Sequence, residues 1–202
     1  MRSLPSDLIW EVNDVAVIGG QPTEVLGAPR VVDMPAGAAI AFDGRQDGLL
    51  VPVLPLAGAA RFTVEMVFCP ATGGGREQRV LHGQEDGSEN RVLLETRVAD
   101  AKHWFVDTFM RSGAASQTLY ADGHLHPFGP WFHVALVYDG VQMCHYVDGE
   151  EEMAGVMAFE PLAAGRTSLG VRLNRVSWFR GLIRSVCFSP NVRSPASFVL
   201  GR

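Results

Sequence analysis

Apolar and polar residues alternate with a period of two along several stretches of this chain. Phe62, Val64, Met66 and Phe68 alternate with Thr63, Glu65, Val67 and Cys69. Val92, Leu94, Thr96 and Val98 alternate with Arg91, Leu93, Glu95 and Arg97. Phe132, Val134, Leu136 and Tyr138 alternate with Trp131, His133, Ala135 and Val137. Successive side chains of a strand point to opposite faces, so each run predicts a β-strand with one face toward a core. Asp-Gly pairs punctuate these runs at 43–44, 47–48, 86–87, 122–123, 139–140 and 148–149. Asp tolerates left-handed backbone angles and Gly prefers them, so the pairs predict tight turns between antiparallel strands. No long segment keeps an i, i+3, i+4 apolar stripe, and only short turns are expected near residues 56–60 and 194–198. The pattern predicts an all-β fold of two antiparallel sheets facing each other across one core.

Composition narrows this picture. The 202 residues are 47% hydrophobic and 19% charged, as in an ordinary globular domain, and without internal repeats they predict a single domain over 1–202. Seventeen basic and 22 acidic residues give a net charge of −5 with no basic tract. Nucleic-acid affinity rests on clustered Lys and Arg, so a nucleic-acid partner is not expected. Neither is a membrane partner, because no apolar run approaches the ~20 residues of a spanning helix. The first ten residues lack an apolar core behind a basic stretch and do not read as a signal peptide. The chain is cytoplasmic if complete, and extracellular or periplasmic if a leader is missing. Cys69, Cys144 and Cys187 are widely spaced and read as buried free thiols rather than disulfides or zinc ligands. Gly73-Gly74-Gly75 lacks the Lys-Ser/Thr of a phosphate loop.

Ordered motifs carry a family resemblance. Ala39-Ile40-Ala41-Phe42-Asp43-Gly44 with Asp47-Gly48, the strand at 62–68, Trp131 through Gly140, Tyr146-Val147-Asp148-Gly149, and Phe179-Arg180-Gly181-Leu182-Ile183 through Phe188 resemble laminin G-like domains. The resemblance spans residues 9–198 and implies a jelly-roll sandwich of the concanavalin A-like lectin/glucanase superfamily. It also implies a ligand groove on the concave outer face of one sheet. Within it, Trp131 reads as a core aromatic and His133 as a structural histidine. Members of the family often carry acidic residues where this chain has Arg184 and Ser185, so calcium is not supported at that strand. The turn residues Asp43, Asp47, Asp139 and Asp148 remain as rim carboxylates, and no cofactor or metal is assigned.

Charge inside strands marks the candidate site. The mixed face of 91–98 carries Glu95 and Arg97, and the run 103–111 puts Asp107 and Arg111 beside His103, Phe105 and Phe109. Alternation in 78–82 puts Gln78 and His82 on one side and Arg79 on the other. A strand at 170–174 places Arg172 and Asn174 on one face, and Trp178 follows as a candidate sugar platform. The expected ligand face therefore comprises Arg79, His82, Glu95, Arg97, Asp107, Arg172, Asn174 and Trp178. Arg, Asn and Glu on neighbouring strands suit hydrogen bonds to hydroxyls or carboxylates. Catalytic patterns are weak. No Glu-x-Asp-x-Glu run or Gly-x-Ser-x-Gly elbow occurs, Glu150-Glu151-Glu152 reads as a solvated loop, and a lyase is matched by residue type alone. The expectation is a non-catalytic binding module for a glycan, with no catalytic residue assigned. The alternatives are a carbohydrate-active enzyme, which requires a perturbed Glu95 or His82, and a module whose partner is another protein.

Overall fold

A computed structural model describes residues 6–201. In chain order the strands are β1 (Leu8–Glu11), β2 (Val17–Ile18), β3 (Gln21–Pro22), β4 (Glu24–Leu26), β5 (Arg30–Val32), β6 (Ala39–Asp43), β7 (Gly48–Val51), β8 (Phe62–Pro70) and β9 (Glu77–Glu85). They continue with β10 (Arg91–Val98), β11 (His103–Ser112), β12 (Ala115–Tyr120), β13 (His126–Pro127), β14 (Phe132–Tyr138), β15 (Gln142–Val147), β16 (Glu150–Val156), β17 (Gly165–Leu169) and β18 (Arg180–Ser189). One sheet runs β16-β15-β14-β8-β18-β6-β5, with β1 also on β18. The other runs β12-β11-β10-β9-β17-β7-β4, with β13 also on β11. Neighbours pair antiparallel, so the jelly-roll sandwich expected from the alternation is the observed fold.

The alternation sets which side chains meet between the sheets. Phe62, Val64, Met66 and Phe68 from β8 and Val134, Leu136 and Tyr138 from β14 face Val92 and Leu94 of β10 and Trp104 and Val106 of β11. Their burial supplies the main driving force, on the order of 1.5–3 kcal/mol for each large aliphatic or aromatic side chain. Trp104 meets Phe68 at 5.7 Å and Phe132 at 5.0 Å between ring centres, which ties the sheets together at one end. The turn between β15 and β16 is the two residues Asp148 (φ 51°) and Gly149 (φ 88°), the double left-handed geometry that Asp-Gly favours.

Part of the outer face of the first sheet is covered by the chain's own C-terminal segment. After a 3-10 turn at Pro195–Ser197, the Phe198 ring lies 5.1 Å from His133 and 5.6 Å from Tyr146. The backbone N–H groups of Val199 and Leu200 donate to the fully buried Glu65 carboxylate at 2.8 and 2.9 Å. His133 is the structural histidine expected, 3.0 Å from Glu65 through Nε2.

Two readings are corrected here. Trp131 is half-buried, with the Arg184 guanidinium 5.2 Å above its ring, because it precedes Phe132 and its phase places it outward. Glu150-Glu151-Glu152 opens strand β16 rather than a solvated loop. Glu152 is the extra residue of a β-bulge in that strand, and its side chain meets His126 at 2.7 Å.

Candidate functional site

The outer face of the second sheet carries the charged residues. Antiparallel register puts Glu95 opposite Asp107 on β11 and opposite Arg79 on β9, and puts Arg97 opposite Glu77. Arg79 arrives there through a β-bulge. The ladder shifts at Leu94/Glu95, so Val80 and Leu81 both enter the core and Arg79 turns to the same face as His82. This corrects the alternation-based expectation that Arg79 lies opposite His82. Gln78 instead turns to the other side, where its Oε1 accepts the Arg180 N–H at 2.7 Å.

Residues 170–179 also depart from expectation. They form a loop closed by the Phe179 N–H donating to the Gly170 carbonyl at 2.8 Å, not a strand. Gly170 (φ 76°) leaves the extended backbone and starts the loop, and only glycine fits there because a Cβ would strike the Phe42 ring. The loop crosses β9. Ser177 accepts the Arg79 N–H at 2.8 Å, and the Leu173 N–H donates to His82 Nδ1 at 3.0 Å. It delivers Arg172 to the charged cluster and sends the other two candidates elsewhere. Exposed Asn174 lines a neighbouring depression with Gln84 and Arg166, and Trp178 sits against Gly48 of β7.

Together these elements shape a cavity of about 200 Å³ whose walls include Arg79, Arg91, Glu95, Arg97, Asp107 and Arg172. Of the eight candidates, five therefore share the wall, and His82 lies buried beside it without lining it. Arg91, Leu93, Phe109 and Thr118 complete the wall and were not among the candidates. Arg91 belongs to the same alternation as Glu95 and Arg97, so its signal was already present. Thr118 had none, because its strand contains no charge.

Ion pairs run across the face. Arg97 Nε donates to Asp107 at 2.7 Å and its Nη1 pairs with Glu77, while Arg79 Nε stands 2.8 Å from Glu95. The Arg79–Glu95 contact lacks hydrogen-bond alignment, so Arg79 Nε and Nη1 have no acceptor among the described residues. Asp107 Oδ1 and Arg91 Nε are buried and unpartnered in the same way. Arg91 Nη1 reaches the exposed Glu89 at 3.1 Å. Burial pushes the Glu95 carboxyl up to about 8 against the pull of Arg79, with Asp107 adding to the rise. Asp107 is likewise raised by burial, opposed by Arg97. Burial, then Arg172, Arg91 and Arg79, lowers His82 to about 3. It is therefore neutral, and since Nδ1 accepts from Leu173 its proton sits on Nε2. Through Nδ1, His82 holds the loop that carries Arg172.

A larger depression of about 520 Å³ lies between the 43–47 turn, Cys69 and Arg180. The acidic side chains of its turn and Arg180 are already engaged. Asp43 Oδ1 accepts the Arg45, Gln46 and Asp47 N–H groups, Asp47 accepts from Ala28 and Asp43, and Arg180 Nη1 donates to the Asp43 carbonyl. Unsatisfied buried polar groups are rare in folded proteins, so those in the smaller cavity make it the stronger site. Among the described residues, no group of three or more His, Cys, Asp or Glu side chains is arranged to hold a metal ion.

The fold is thus a two-sheet jelly roll with a polar cavity on one outer face. The chain belongs to the concanavalin A-like lectin/glucanases superfamily, through a laminin G-like family model that matches residues 43–197. No curated protein matches it in sequence. Among solved structures it is similar to domain 4 of AbnA, a GH43 extracellular arabinanase from Geobacillus stearothermophilus solved with arabinotriose. The two are 18% identical, with a TM-score of 0.71, over 96% of this chain and 95% of that one. A SAP-like pentraxin from Limulus polyphemus is 14% identical, with a TM-score of 0.63 over 78% and 77% of the two chains. The binding domain of Paraclostridial Mosquitocidal Protein 1 is 9% identical, with a TM-score of 0.69, and this chain spans half its length.

Proposed function

We propose that this chain is a non-catalytic carbohydrate-binding module whose ligand lies on the outer face of the β9–β12 sheet. The observation that carries the reading is the set of buried, unpartnered polar atoms around one cavity, Arg79 Nη1, Arg91 Nε and Asp107 Oδ1. Donors and an acceptor left open at close quarters suit the vicinal hydroxyls of a sugar. Phe109 and Tyr120 flank them with aromatic surface, each under a guanidinium, Arg91 at 4.7 Å and Arg97 at 5.7 Å. A similar fold supports it, the arabinanase domain solved with arabinotriose.

A glycan array of neutral and acidic polysaccharides tests this, with an Arg97→Ala, Arg172→Ala double variant alongside. Selective binding that the double variant loses supports the reading. Binding to no glycan overturns it and favours a protein partner. One observation favours an enzyme, since a Glu95 carboxyl protonated near neutral pH is what a general acid requires. Its cross-strand neighbour Asp107 accepts from Arg97 at 2.7 Å through Oδ2 and keeps Oδ1 unpartnered. Cleavage of an array ligand, abolished by Glu95→Gln, would establish the enzyme instead.

A further inference from the structure

Arg172 is the odd charge of the cavity. Arg79, Arg91 and Arg97 each stand within ion-pair distance of a carboxylate. Arg172 has no ion pair or side-chain hydrogen bond among the described residues, although it is half-buried in the cavity wall. It lies close enough to Arg79, Arg91 and His82 to disfavour the charged form of all three. Adding Arg172 to these cations without a carboxylate of its own costs the folded state, so the arrangement points to a charge supplied from outside.

The backbone supports the same reading. Arg175 (φ 61°) and Ser177 (φ 56°) hold left-handed angles unusual for residues with side chains. These angles shape the turn in which the Arg172 N–H donates to Val176 and the Arg175 N–H to the Arg172 carbonyl, fixing Arg172 over the sheet. The buried His82 anchors the loop from below. The cavity wall thus carries Glu95 and Asp107 together with Arg172, Arg91 and the unpartnered Nη1 of Arg79. A neutral sugar requires no uncompensated cation, whereas an oxyanion matches the guanidinium donors in both charge and geometry.

We propose that Arg172, Arg91 and Arg79 form an anion subsite that takes the carboxylate or sulfate group of an acidic sugar. The proposal rests on the carbohydrate-binding reading above and specifies its ligand class.

Calorimetric titration of the full chain with tetragalacturonate, a heparin-derived tetrasaccharide and arabinotriose tests it. At least one acidic probe is expected to bind more tightly than arabinotriose and to weaken as NaCl is raised. The two acidic probes separate carboxylate from sulfate as the recognised group. Arg172→Gln is expected to weaken the acidic probe by about tenfold or more, the usual effect of losing a charge-assisted hydrogen bond. Arg91→Gln should act in the same direction, and Arg45→Gln, on the distant 43–47 turn, should leave binding within about twofold. Circular dichroism confirms that each variant is folded. Acidic binding unchanged in both Arg172→Gln and Arg91→Gln overturns the subsite. So does binding of arabinotriose or another neutral glycan without either acidic probe, and in both cases the carbohydrate reading stands. Failure of every glycan overturns both.

Discussion

The two outer faces of this sandwich each bury a glutamate, and they treat it in opposite ways. Glu65, on the first sheet, accepts hydrogen bonds from Val199 and Leu200 N–H groups and lies 3.0 Å from His133 Nε2. Burial alone would raise its pKa, but these contacts prevail and hold it below the usual carboxylate value. Glu95, on the second sheet, is also buried, yet it faces Arg79 without hydrogen-bond alignment and has Asp107 across the strand, and its pKa rises to about 8. The difference lies in the covering. The C-terminal segment brings N–H donors to Glu65, while the second face carries donors and acceptors with no protein partner. A buried carboxylate that the chain itself satisfies is structural, and a buried polar set left open is where a ligand belongs.

The largest expected effect falls on the satisfied face. Glu65→Ala strands His133 and two backbone N–H groups and should destabilise the fold by about 3 kcal/mol in chemical denaturation. A loss below about 1 kcal/mol would show that the C-terminal segment adds little. Next is the pH dependence of the open face. Because the folded value for Glu95 lies above its ordinary 4.5, its favourable contribution is complete below pH 4.5 and is lost as pH rises toward 8. The melting temperature of the wild-type protein should therefore fall relative to Glu95→Gln, by about 5 °C between pH 5 and 8. Glu65 has the opposite sign. Its contribution is present above pH 4.5 and fades as the solution is acidified through its lowered value. Parallel melting curves for wild type and Glu95→Gln across that range would remove the contrast.

A smaller effect is expected at Phe198, which packs between His133 and Tyr146. Phe198→Ala should cost about 1 kcal/mol and speed amide exchange at residues 199–200 more than elsewhere. Uniform exchange would show that the ring does not hold the segment down. The smallest is Arg172→Gln, which should change stability by less than about 0.5 kcal/mol because no internal pair is broken. A larger loss would mean that Arg172 has a structural partner, and would weaken its assignment to a ligand.

Much of the fold was legible because period-two alternation is a local property. The runs at 62–69, 91–98 and 131–138 fix which side chains enter the core, and the Asp148-Gly149 turn joins β15 to β16. The positions of Glu95, Arg97 and Asp107 on one outer face followed from the same count, since no bulge interrupts β10 against β11. The count failed where the backbone leaves the pleat. An extra residue at Val80 and Leu81 turned Arg79 over, and the left-handed Gly170 replaced a strand with a loop. Asn174 and Trp178 were lost to the site with that strand, while Arg172 reached it by another route.

By itself, then, the sequence determined the alternation, the turns and the sandwich they close, because these depend on neighbours one or two residues apart. Only the tertiary structure decided which buried charges have partners. Glu65 meets the Val199 N–H across 134 positions of chain, His82 meets the Leu173 N–H across 91, and Arg172 meets no carboxylate at all among the described residues. Satisfaction of a buried polar group depends on distance and angle to an atom far away in the chain, and residue order does not contain that quantity.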